Sequence, residues 1–176
     1  MFERAPKSKL EILKTCDFEE IDHDLSSLSA DERKIVFDRL ATEGDEVWAS
    51  ETLEIDQPFS GDEQEVLVSM IEDPNLAFEV LTLDETRGKK LTREQAKTLM
   101  ERIESDEGVV YLFYLNLVES GVAEEPNETE TWWLERLEKV LVQTEDPGVA
   151  AYVLEHIASL TPEDRTRLEE TARSEK

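Results

Sequence analysis

The sequence predicts an all-α protein. Capping signatures recur along the chain, and between them apolar residues return every three or four positions. No two-residue alternation bounded by hairpin turns is sustained, so no sheet is expected.

These signals place helices near 7–15, 17–27, 30–43, 61–72, 75–86, 92–104, 108–120, 128–144, 148–159 and 162–174. Asp17 with Glu20 is a loose start signal. Ser29 with Glu32, Ser60 with Glu63, Thr92 with Gln95 and Asn127 with Glu130 are full capping boxes. In each box a side-chain oxygen accepts from a free N–H of the first turn, while the acid or amide reaches back to the cap. Leu91 and Ala96 add a hydrophobic staple, and Pro162 after Thr161 suits the first helical position. Gly44, Gly88 and Gly121 stand where helices stop. The apolar stripes include Phe18, Ile21, Leu25 and Leu28; Leu91, Ala96, Leu99, Met100 and Ile103; and Val149, Tyr152, Val153, Ile157 and Leu160. Residues 45–59 fit either a short helix or an extended segment carrying Val47, Trp48, Leu53 and Ile55, ended by Pro58.

The 176 residues are expected to form a single acidic helical domain over 1–176, with 1–60 less regular and 61–174 built of helix pairs. Hydrophobic residues make up 39%, enough for a core. No apolar run suits a membrane helix, and residues 1–14 lack the apolar region of a signal peptide, so a soluble cytoplasmic protein is expected. The single Cys16 excludes an intrachain disulfide and a four-cysteine zinc site.

Lys and Arg number 19 against 44 Asp and Glu, a net charge of −25. Such a surface repels phosphate, which disfavours direct binding of nucleic acid or anionic lipid. The nearest basic group, Arg87, Lys89, Lys90 and Arg93, suits the carbonyl end of a helix. Three readings of the acidity remain: a soluble or salt-adapted surface, carboxylates offered to a basic protein, or helices that imitate a phosphate track.

Catalytic chemistry finds little support. There is no HExxH, paired zinc motif, calcium loop, GxSxG elbow, GxGxxG or P-loop, so no catalytic residue, metal or cofactor is assigned. Asp22-His23-Asp24 could offer metal ligands, but adjacent helical residues diverge, which favours a surface histidine. Cys16 lacks an evident activating partner, and His156 within its apolar stripe suits a hydrogen-bonded, partly buried histidine. Asn127-Glu128-Thr129 matches a glycosylation sequon but reads as a helix cap.

Trp132-Trp133 is the most suggestive apolar feature, because adjacent helical residues cannot both enter one core. Trp133 is expected inward with Leu137, Val140 and Leu141, leaving Trp132 to cover the neighbouring helix pair or to line a groove. Val109 to Leu115, with Tyr111, Phe113 and Tyr114, is apolar nearly all round and suits a central helix or a dimer interface.

Asp73-Pro74-Asn75-Leu76-Ala77, Asp106-Glu107-Gly108-Val109-Val110 and Asp146-Pro147-Gly148-Val149-Ala150 each open an apolar helix followed by a more charged one. The pairs would be 75–86 with 92–104, 108–120 with 128–144, and 148–159 with 162–174. Over 73–174 this pattern resembles the HEAT-like repeat family of α-solenoids. Where that family often carries a basic residue, Ala77, Val110 and Ala150 stand here. The resemblance implies antiparallel helix pairs stacked as a short solenoid, and an irregular helical bundle is the alternative architecture. It also implies a layered protein-binding surface and no chemistry.

The expected function is therefore a non-catalytic protein–protein interaction module, an adaptor or inhibitor that binds a basic partner through acidic helix faces. The candidate binding residues are Trp132 and Trp133 with Glu124, Glu125, Glu128 and Glu130, and Asp62, Glu63, Glu65, Glu72 and Asp73. A nucleic-acid mimic occluding a basic groove is one alternative. An enzyme or metal-binding protein built on a carboxylate and histidine site is another. A second copy of the chain is a further candidate partner.

Overall fold

The computed structural model describes residues 8–87 and 91–174. The expected stop at Gly88, the basic residues Lys89 and Lys90 and the Arg87 side chain lie outside the described residues. The protein is all-α. Among the described residues are α1 (Lys9–Thr15), α2 (Ala30–Glu43), α3 (Glu46–Glu54), α4 (Gly61–Met70), α5 (Pro74–Arg87), α6 (Arg93–Ile103), α7 (Glu107–Glu119), α8 (Glu128–Leu141), α9 (Pro147–His156) and α10 (Pro162–Ala172). None is long and apolar enough to cross a membrane. Two compact units divide the chain, Met1–Leu99 and Met100–Lys176, so that the expected pairing of 75–86 with 92–104 straddles the division.

In the first unit α1 and α4 pack on α2, and α4 and α5 pack on α3. Their shared core holds Val36, Leu40, Trp48, Ala49, Leu67, Ile71 and Leu81. The boxes at Ser29, Ser60 and Thr92 form as expected, and Ser8 with Glu11 adds one more. The ambiguous stretch contains a true helix, because the Asp45 side chain accepts from the Trp48 N–H at 2.9 Å and nucleates α3.

The expected helix over 17–27 is corrected to two 3₁₀ turns, Phe18–Glu20 and Leu25–Ser27. Asp17 makes no side-chain cap. The Asp22 carboxylate takes the Asp24 N–H, that of Asp24 takes the Ser26 N–H, both at 3.0 Å, and Gln57 Oε1 takes the Leu25 N–H at 2.8 Å. These acceptors outcompete the helical carbonyl ladder. Phe18, Ile21 and Leu25 are nonetheless buried, so their spacing recorded a buried side rather than an α-helix.

In the second unit α8 packs on α7 and α9, and α10 packs on α9. Phe113, Trp133, Leu137, Leu141, Val153 and Leu168 fill the core. Gly44 and Gly121, with φ of 72° and 79°, end their helices in the left-handed region that a Cβ disfavours.

The three repeated aspartates do equivalent work in the two units. Asp73, Asp106 and Asp146 each accept main-chain N–H groups at the starts of α5, α7 and α9. Ala77, Val110 and Ala150, four positions on, are fully buried, which leaves no room for a basic side chain there. Helix starts are also tied together within each unit. The Glu46 carboxylate at the head of α3 accepts from the Glu72 and Asp73 N–H groups, at 2.9 and 3.0 Å. The Thr144 hydroxyl donates to Glu107 at the head of α7 and accepts from the Asp146 N–H.

Candidate functional site

The tryptophan pair sits on α8, whose start is set by Asn127. Its Oδ1 accepts from the Thr129 and Glu130 N–H groups at 2.9 and 3.0 Å, and the Glu130 carboxylate takes the Asn127 N–H at 2.6 Å. Glu130 is therefore occupied inside its own cap, whereas Glu124, Glu125 and Glu128 are exposed. Trp133 points inward, 3% exposed, with its ring 5.4 Å from that of Phe113. Its indole Nε1 is buried with no hydrogen-bond partner among the described residues. Val140, expected inward, is only half-buried and faces outward.

Trp132 is half-buried and lines a groove of about 560 Å³ with Glu104, Glu135, Arg136, Lys139, Val140 and Gln143. The Arg136 guanidinium lies over the Trp132 ring at 5.5 Å from its centre. It also grips Glu104 with two N–H groups, Nε to Oε1 and Nη2 to Oε2, the latter at 2.6 Å. This hydrogen bonding to Glu104 raises the arginine pKa further, against a smaller desolvation penalty, and Glu101 adds to it electrostatically. The face is thus an aromatic ring bearing a paired cation beside Lys139 and Glu135, not a plain carboxylate surface. Sequence reading passed over Arg136, although its spacing of four from Trp132 is the helical neighbour spacing. Glu104 lies 32 residues away, and no local signal joins it to Arg136.

The second acidic group does not assemble. Asp62 lies in the first turn of α4 and Glu72 two residues beyond its last, so that roughly 12 Å of helix rise separates them. The Glu63 carboxylate is held by Arg33 through Nε and Nη2, both at 2.8 Å, and caps Ser60 as well. Arg33 keeps the Glu63 carboxyl below its ordinary pKa, against partial burial. Asp73 is used as the cap of α5. Asp62, Glu65 and Glu72 remain exposed.

His23 is not the expected surface histidine on a helix. It is half-buried, with Nδ1 3.2 Å from Thr52 Oγ1, Nε2 3.1 Å from Glu51, and its ring stacked 5.6 Å from Trp48. Gln57 Nε2 donates to the His23 carbonyl at 2.6 Å, so the residue ties the irregular 17–28 segment to α3 and the stretch that follows. Asp22 and Asp24 turn to nearby N–H groups, and the bonds from Ser26 lower the Asp24 pKa. Cys16, expected to lack a partner, has the Arg39 guanidinium beside it.

His156 is exposed rather than partly buried, and its ring stacks on Tyr152 at 4.0 Å while Nδ1 donates to the Tyr152 carbonyl at 2.9 Å. Tyr111 meets Tyr152 edge to face at 5.3 Å. Burial, aided by Glu138, raises the pKa of the Tyr114 hydroxyl. Helix α7 buries Val109, Val110, Phe113 and Tyr114 but leaves Leu112 55% exposed.

Among the described residues no group of three or more His, Cys, Asp or Glu is arranged to hold a metal ion. Comparison of the chain with family models, with curated proteins and with solved structures finds no match.

Proposed function

We propose that the chain is a non-catalytic interaction module that binds a basic protein partner through the outer face of α8 and the turn before it. One observation carries the reading: Trp132, half-buried and without a core role, lines an open groove one helical turn from the exposed Glu128. A large amphipathic ring that loses the rest of its exposure on docking is the usual anchor of a protein interface. Glu124, Glu125 and Glu128 supply long-range attraction for a cationic surface and set its approach. A HEAT-like stack is the architecture proposed for this surface, supported by the ties between the starts of alternate helices, α3 with α5 and α7 with α9.

The test immobilises the purified chain and compares proteins retained from nuclease-treated extract by wild type, Trp132→Ala and the triple variant Glu124→Gln, Glu125→Gln, Glu128→Gln. A basic protein retained by wild type should be lost with Trp132→Ala, and its retention should weaken with salt for wild type more than for the triple variant. Equal retention by all three proteins overturns the proposal. Displacement of the captured protein by duplex DNA would make the module a nucleic-acid mimic.

A further inference from the structure

We infer that the seat formed by Trp132 and Glu104 is an exchangeable arginine site, in which an arginine of the partner takes the place that Arg136 holds in the free protein. The inference rests on the interaction reading above and names the chemistry of its central contact.

A guanidinium is recognised by an aromatic face on its flat side and a carboxylate across its fork, and the chain's own Arg136 satisfies both at once. The same grip occurs twice in the other unit, where it is built differently. Arg33 lies 5.8 Å from the centre of the Phe59 ring, forks onto Glu63, and also donates to the Leu25 and Pro58 carbonyls at 3.4 and 3.2 Å. Arg39 lies 4.7 Å from that of Phe18, forks onto Glu43, and donates to the Leu13 carbonyl at 2.7 Å. Moving Arg33 or Arg39 would therefore also break its hydrogen bonds to the main chain.

Arg136 donates to no main-chain carbonyl among the described residues, and it lines an open groove. Its side chain is 27% exposed, against 15% and 14% for Arg33 and Arg39. Lifting it breaks one ion pair and one ring contact, both of which an incoming arginine restores. Once it swings out, Glu104 and Glu135 face the groove with Lys139 as the remaining cation of the lining, a charge balance that favours a cationic replacement. The fork distinguishes arginine from lysine, because a planar guanidinium meets the two carboxylate oxygens with two parallel N–H groups while its flat side covers the ring, a combination a compact ammonium lacks.

The test uses a capped pentapeptide with one arginine between glycines, and its lysine counterpart, titrated into the full chain. The readout is the indole N–H resonance of Trp132, assigned by its loss in Trp132→Phe, while the Trp133 indole resonance reports an intact core. Arg136→Ala vacates the seat and should bind the arginine peptide about tenfold tighter than wild type does. Arg136→Lys keeps the charge without the fork and should show a smaller gain, which covers the case in which the alanine variant fails to fold. The lysine peptide should gain little, and adding Glu104→Gln to Arg136→Ala should abolish the gain. No gain on vacating the seat, equal gain for the lysine peptide, or a gain that survives Glu104→Gln each overturns the inference. Capture that depends on Trp132 alongside a failed titration would remove the arginine seat alone. A successful titration with capture indifferent to Trp132 would remove the interaction reading alone.

Discussion

Arg33 and Arg136 carry the same pair of contacts, an aromatic face and a forked carboxylate, yet they are embedded differently. Around Arg33 further donors are consumed by the carbonyls of Leu25 and Pro58, so one side chain holds the irregular segment before α2, the stretch before α4 and α4 itself together. Around Arg136 the fork reaches only Glu104, and the remaining surroundings are an open groove. The tryptophans repeat the contrast. Trp48 Nε1 donates to the Ile21 carbonyl at 3.2 Å, whereas the Trp133 indole N–H is buried without a partner. The arginine and indole that fasten the irregular segment reach main-chain carbonyls, whereas Arg136 and the Trp133 indole, among the described residues of the other unit, reach none.

The largest test of that contrast is Arg33→Ala, which removes the guanidinium from the Glu63 carboxylate and from the Leu25 and Pro58 carbonyls and should cost about 3 kcal/mol in urea unfolding. Arg136→Ala should cost about 1 kcal/mol or less by the same measurement, in keeping with a partly exposed pair. Equal losses would mean that the two grips are equally structural. Next in size, Trp48→Phe removes a bonded indole and strands the Ile21 carbonyl, for about 2 kcal/mol. Trp133→Phe discards an N–H that has no partner, so thermal denaturation should show a loss smaller by about 1 kcal/mol than that of Trp48→Phe.

Acid sharpens the comparison further. The Glu63 pKa is lower in the folded protein than its ordinary 4.5, so its contribution is complete above that value and is lost as pH falls through the folded pKa. Melting temperatures measured from pH 6 down to pH 3 should fall less steeply for Arg33→Met than for wild type. The smallest effect is that of Trp132→Ala on stability, about 0.5 kcal/mol or less, because no core contact depends on it; a larger loss would give the residue a structural role.

Legibility followed the range of the interactions. The boxes at Ser29, Ser60, Thr92 and Asn127 were readable because cap and partner lie three residues apart, close enough for local geometry alone to bring them together. The spacing of Phe18, Ile21 and Leu25 correctly marked burial but misled about conformation, since Gln57, 32 residues away, competes for the Leu25 N–H. Among the candidate acids, Glu130 sat within a visible capping box and was nonetheless counted as a binding group. Glu63 was engaged by an arginine 30 residues distant, which no spacing rule reveals.

The sequence by itself determined the helical class, most helix starts, the inward turn of Trp133 and the excess of carboxylates, because backbone capping, helical period and net charge are properties of neighbouring residues or of composition. Only the tertiary structure decided which carboxylates are already held, that His23 and Arg33 fasten an irregular segment, and that Arg136 rests on Trp132 and Glu104 in an open groove. Those outcomes turn on groups 25 or more residues apart meeting within hydrogen-bond distance, as His23 with Thr52, Arg33 with Glu63 and Arg136 with Glu104 do, and only packing brings them there.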